Sequence, residues 1–129
     1  MNEPVILVVD DDQGAQSALI QVLRREKYVA DGTSCAREAL EKLSEKSYDL
    51  VITDIRMPGE IDGLGLVHWI RENRPNLPVI ITSGARRDDG IAEAASGACF
   101  FEKPYDCAMV ANQIHQMIEA TPTSQDRAN

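Results

Sequence analysis

Four short stretches carry the residues best suited to chemistry. Asp10, Asp11 and Asp12 follow the apolar run VILVV, and Asp54 closes the run LVIT before Ile55-Arg56-Met57-Pro58-Gly59. Thr82 and Ser83 end the run VII, and Lys103-Pro104 follows Phe100-Phe101-Glu102. If these stretches meet, a group of carboxylates faces one ammonium and two hydroxyls. Carboxylates packed together repel, and a hard divalent cation relieves the repulsion. Mg²⁺ prefers oxygen ligands, takes one or two carboxylates, and leaves its other positions to water or phosphate. Asp11 and Asp54 suit direct coordination, with Asp10 acting through water. Transfer of a phosphoryl group depends mainly on positioning and on neutralising its oxygens. Lys103, a compact point charge, and Thr82 or a backbone N–H suit that task. The Asp54 carboxylate could attack phosphorus and become an acyl phosphate.

The elements that must place these residues alternate along the chain. Val5–Val9 is a continuous β-branched run, the pattern of a strand buried on both faces. Ala15, Ala18, Leu19, Val22 and Leu23 recur at helical spacing. Tyr28–Thr33 reads as a second, weaker strand. Ser34 is the expected N-cap of a helix through Ala36, Ala39, Leu40 and Leu43. Leu50–Thr53 is a third strand. Gly63 to Asn73 reads as a helix with Leu66, Val67 and Ile70 inward. Pro75-Asn76-Leu77-Pro78 is a turn, and Val79–Thr82 a fourth strand. A polar loop over Ser83–Asp89, a short helix over Ile91–Ala95 and a fifth strand over Ala98–Phe101 follow. Asp106 to Ala120 is the last helix, with Met109, Val110, Ile114, Met117 and Ile118 as its apolar stripe. The polar stretch Thr121–Asn129 reads as a flexible tail. Five strand–helix repeats imply an α/β architecture, a parallel sheet with helices on both faces. Sites in such sheets form beyond the carboxyl ends of the strands, where strand order reverses. Asp10–Asp12, Asp54, Thr82, Ser83 and Lys103 all fall at or just past such an end.

In this order and spacing, VVDD, VITDIRMPG followed by DG, VIITS and FFEKP resemble the receiver domain of two-component response regulators. The resemblance spans residues 4–120. It implies a flavodoxin-like (βα)₅ doubly wound sheet with strand order 2-1-3-4-5. It implies Asp54 as phosphoacceptor, Asp10 and Asp11 as the acidic metal pair, and the backbone carbonyl of Arg56 as a further Mg²⁺ ligand. Thr82 becomes the switch hydroxyl, Lys103 the phosphoryl-binding lysine, Phe100 the aromatic switch position, and Lys103–Pro104 a cis peptide. The implied donor is a phosphohistidine of a sensor histidine kinase or a histidine phosphotransfer protein. The implied output is a protein target bound at the face of the fourth helix, fifth strand and last helix. Such a domain catalyses its own phosphorylation and dephosphorylation without turnover of a separate substrate.

Each residue also has a plainer reading. Asp10–Asp12 could cap the first helix, Asp54 could start a turn, Thr82 could be an ordinary strand residue, and Phe100 could be static core. Their joint register favours the site. Two readings from other classes compete with the receiver. A Mg²⁺-dependent aspartyl-phosphate phosphatase usually needs a second Asp two residues after the nucleophile, where Arg56 stands, and a cap for which this chain has no room. A pseudo-receiver that only binds a partner should have lost the acids or Lys103. Two features depart from the common receiver pattern. The loop Pro58-Gly59-Glu60-Ile61-Asp62-Gly63 carries one residue more than usual, and Gly84 offers no side chain two residues after Thr82. Arg56 does, two residues after Asp54. Arg56→Ala should therefore change the dephosphorylation rate, and an unchanged rate would remove Arg56 from that role.

The totals set the remaining limits. The chain has 129 residues and a net charge of −8, with 43% hydrophobic and 26% charged residues, the profile of one globular domain. Its negative charge argues against direct nucleic-acid binding, which needs clustered Lys and Arg. Cys35, Cys99 and Cys107 form no CxxC pair, so reduced thiols in a cytoplasmic protein are expected. The N-terminus lacks a basic, signal-like start, and no apolar stretch approaches the ~20 residues of a membrane helix. His68 and His115 read as structural or solvated. The chain could be a stand-alone receiver, a shuttle in a phosphorelay, or a fragment of a longer regulator or hybrid kinase, and the short tail after Ala120 favours the stand-alone reading only slightly.

Overall fold

The computed structural model describes residues 3–55, 62–84 and 99–120. The strands are β1 (Val5–Val9), β2 (Val29–Thr33), β3 (Leu50–Asp54), β4 (Val79–Ser83) and β5 (Cys99–Glu102). The helices among the described residues are α1 (Gln13–Arg25), α2 (Ala36–Glu45), α3 (Gly63–Asn73) and α4 (Cys107–Ala120). The strands form one parallel sheet in the order β2-β1-β3-β4-β5, the flavodoxin-like arrangement. No helix among the described residues is long and apolar enough to cross a membrane. The Arg56 carbonyl, most of the loop after Pro58, the Ile91–Ala95 helix and the Thr121–Asn129 tail lie outside the described residues.

Alternation along the strands divides the core in two, because successive side chains leave opposite faces of a sheet. Leu7, Val9, Val51 and Ile81 pack with Ala36, Ala39 and Leu43 of α2 and Leu66, Val67 and Ile70 of α3. Ile6, Val8, Leu50, Ile52 and Ile80 pack with Leu19 and Leu23 of α1 and Val110 and Ile114 of α4. Central strands therefore need apolar residues at every position, which is why VILVV and LVIT do not alternate with polar residues.

Three local expectations are corrected. The N-cap of α2 is Cys35, without a side-chain cap bond, rather than Ser34. Glu38 instead reaches back, and its Oε1 accepts from the Ser34 N–H at 3.0 Å. Met109 does not belong to the apolar stripe of α4, since it is 63% exposed. Ala18 of α1 is exposed too, and the buried face is formed by Gln16, Leu19 and Leu23.

Gly63 sets how closely α3 approaches the sheet. Its N–H donates to the Ile55 carbonyl at 2.9 Å. A Cβ at this position would lie 1.9 Å from the Asp54 carbonyl oxygen and 2.6 Å from the Ile55 Cα. Both are backbone atoms and cannot rotate away, so the helix must shift. Gly63→Ala should cost about 3 kcal/mol and lower the melting temperature by on the order of 10 °C. A melt that coincides with wild type would show that α3 has room to move.

Candidate functional site

Strand order reverses between β1 and β3, because the chain leaves β1 toward β2 on one side and returns to β3 on the other. Asp10 follows β1 and Asp54 is the last residue of β3, so the two acids flank this reversal point. Three carboxylate oxygens, one each from Asp10, Asp11 and Asp54, lie within 4.8 Å of one another. Asp10 and Asp54 are buried and Asp11 is exposed, which leaves the cluster open on one side.

Lys103 joins them from the loop after β5. Its Nζ lies 2.9 Å from Asp10 Oδ2 and 2.9 Å from Asp54 Oδ2. The loop is pinned by the Lys103 N–H, which donates to the Ser83 carbonyl at 2.8 Å. The following Lys103–Pro104 peptide is cis. Burial pulls the Lys103 ammonium downward, but the hydrogen bonds and charges of Asp54 and Asp10 outweigh it and hold the group well above the ordinary lysine value. The ammonium is therefore firmly charged at neutral pH.

Two of the three carboxylates pair with this ammonium, and the third, Asp11, adds to an excess of negative charge at the site. The donor set is hard oxygen, and its mutual spacing suits a small divalent cation such as Mg²⁺.

Thr82 sits beside Asp54 in the β3–β4 register and is 1% exposed. Phe100, three residues before Lys103, is half-buried and packs against the core on the α2 and α3 side. The structure thus brings Asp10, Asp11, Asp54 and Lys103 together, with Thr82 on the adjoining strand. Asp12 takes no part in this cluster. It is the N-cap of α1, and its Oδ1 accepts from the Ala15 N–H at 3.1 Å. The helix-cap reading thus holds for one of the three acids.

Two further neighbours shape the site. Tyr105 lines an open groove of about 430 Å³ beside the site, together with Ala15, Ala18, Pro104 and Cys107. Burial, aided by the charge of Asp10, pushes its phenol up to about 12. Gln16 is buried under the Asp10 backbone. Its signal was available, because positions 16, 19 and 23 share one helix face, and a polar residue on an apolar face needs a partner.

Known proteins resemble this chain in sequence and fold. The family model for the response regulator receiver domain matches residues 6–119. The chain is 35% identical over its whole length to the DNA-binding transcriptional regulator NtrC of Escherichia coli K12, of which it spans 28%. A receiver domain protein (CheY-like) from Methanospirillum hungatei superposes with a TM-score of 0.87 at 23% identity, covering 95% of this chain and 99% of that one. Response regulator protein TrrA from Thermotoga maritima, solved in complex with Mg²⁺–BeF, superposes with a TM-score of 0.79 at 28% identity, covering 88% of this chain and 98% of that one. With the motif order, the strand order and the family match over most of its length, the chain belongs to the response regulator receiver domain family of two-component signalling.

Proposed function

We propose that Asp54 accepts a phosphoryl group from a phosphohistidine on a sensor kinase or histidine phosphotransfer protein, with Mg²⁺ held by Asp10, Asp11, Asp54 and the Arg56 carbonyl. The observation that carries this reading is the single ammonium of Lys103, 2.9 Å from both Asp10 and Asp54 at the mouth of an acidic cluster.

A carboxylate oxygen of Asp54 attacks phosphorus. The P–N bond of the donor breaks, and its electron pair returns to the imidazole nitrogen, which takes up a proton. The product is an aspartyl phosphate. Water later attacks phosphorus, the P–O bond to Asp54 breaks, and the carboxylate and inorganic phosphate separate. Lys103 neutralises a phosphoryl oxygen throughout, from a position fixed by the loop after β5. Mg²⁺ bound among the acids supplies further charge neutralisation on the same group.

Phosphorylation places a charge of about −2 beside Thr82. Thr82 turns toward the new acceptor oxygens, and Phe100 changes its packing in the space released. This alters the face of β5 and the last helix, where a downstream protein docks. The receiver unit is residues 4–120. It works in the cytoplasm, contacts no nucleic acid directly, and has no turnover beyond its own phosphorylation cycle.

Incubation with Mg²⁺ and a small acyl-phosphate donor tests the reading. Intact mass should rise by one phosphoryl group with Mg²⁺ and not with EDTA. No adduct, even after rapid trapping, would overturn it in favour of a pseudo-receiver.

A further inference from the structure

We propose that Gln16 is a positioning residue that fixes Asp10 for metal binding. This rests on the metal reading above and extends it to a residue that touches neither metal nor phosphate. The Gln16 side-chain amide is buried in α1, one turn past the Asp12 cap. Its Nε2 donates to the Asp10 carbonyl at 2.9 Å and to the Thr33 carbonyl at 2.8 Å. Two acceptors use both hydrogens of an amide NH₂, a demand that no apolar side chain of the same length can meet.

The result is a clamp on Asp10 from several directions. The Asp10 N–H donates to the Thr33 carbonyl at 3.0 Å, so Thr33 receives both Asp10 and Gln16. Asp10 Oδ1 accepts from the Asp12 N–H at 2.9 Å, and Oδ2 faces Lys103 at 2.9 Å. Of these restraints, only Gln16 ties the end of β1 to the buried face of α1 through a side chain. Without it, the Asp10 carbonyl lies buried with one donor fewer, and the residue can turn to find another.

Gly32 provides the space for this amide. A Cβ there would lie 2.3 Å from Gln16 Oε1 and 2.7 Å from its Cδ. Ile20 Cδ1 lies 2.9 Å away as well, but all three atoms belong to the far ends of flexible side chains and the two tightest contacts are to the amide, so Gly32→Ala should displace the amide rather than the strand. Gly32 and Gln16 are therefore coupled, and their coupling can be measured.

Mg²⁺ titration by calorimetry, with urea unfolding alongside, tests the proposal on the full chain. Gln16→Met should weaken Mg²⁺ binding by about tenfold, the scale of groups that orient metal ligands. Leu23→Ala, a cavity in the same helix remote from the acids, should lose at least as much stability yet keep Mg²⁺ affinity within about twofold. Gly32→Ala should weaken Mg²⁺ binding in the wild-type background and leave it unchanged in a Gln16→Ala background. Equal effects of Gln16→Met and Leu23→Ala on Mg²⁺ affinity would overturn the proposal, as would an additive Gly32–Gln16 pair. Hydrogen exchange of the Asp10 amide in metal-free protein gives a second readout. Measured relative to global stability, its protection should fall in Gln16→Met and not in Leu23→Ala. A wild type that binds no Mg²⁺ would defeat the metal reading, and the amide measurement alone would then decide whether Gln16 holds Asp10.

Discussion

Asp54→Asn will not take up a phosphoryl group from a small acyl-phosphate donor, and the loss will be at least about 10³-fold, the scale for removing a nucleophile outright. The amide matches the carboxylate in size but has no anionic oxygen to attack phosphorus. Its oxygen can still accept from Lys103, which now lies 2.9 Å from Asp54 Oδ2. The variant should therefore fold. Removing one carboxylate from a group of three within 4.8 Å also relieves repulsion, so the metal-free variant should be at least as stable as wild type. That pairing of outcomes separates lost chemistry from lost structure. Intact mass reports the adduct, and a urea titration in EDTA reports the fold. An Asp54→Asn protein that still gains one phosphoryl group would transfer the acceptor role to Asp10 or Asp11.

The strands were legible because burial on both faces leaves no room for polar alternation, as in VILVV and LVIT. The acids and Lys103 were legible because each stands where a strand ends, and parallel topology brings those ends together. Other features of the fold are not written in residue type. Ser34 has the chemistry of an N-cap, but the helix begins one residue later and uses the carboxylate of Glu38. Met109 looked apolar enough for the stripe of α4, yet composition does not say which side of a helix faces the sheet, and it points outward. Gln16 carries the opposite lesson. A glutamine near a helix N-terminus reads as solvated, although its spacing to Leu19 and Leu23 places it on the buried face. Its partners are backbone carbonyls, and no residue type in the sequence announces a carbonyl that needs a donor. The closeness of Gly63 to the Asp54 backbone was hidden for the same reason, since it is a contact between main chains.

Lys103→Met keeps the length of the side chain and removes the charge that sits between Asp10 and Asp54. Breaking a buried ion pair from one side leaves the partner uncompensated, at a cost of roughly 3–5 kcal/mol. The Lys103 side chain is 21% exposed, and the carboxylates face partly open space through Asp11, so the lower end of that range is expected. In wild type the folded lysine holds its proton more tightly than the unfolded chain does. Its contribution is therefore complete below the unfolded lysine value of about 10.4 and is lost only as pH rises through the folded one. Between pH 5 and 9 the wild-type pair should thus contribute constantly, while the variant's deficit should shrink in acid, where protonation of a carboxylate removes the repulsion. Mg²⁺ should narrow the deficit as well, because a cation that binds only the folded acids stabilises by mass action. Phosphoryl uptake should fall by about a hundredfold, as when a single charge-stabilising group is removed from a transfer site. A Lys103→Met protein whose deficit ignores both acid and Mg²⁺ would make the lysine a packing residue. One that keeps full phosphoryl uptake would remove it from the transfer step and leave the cation and the strand-end backbone to neutralise the phosphoryl oxygens.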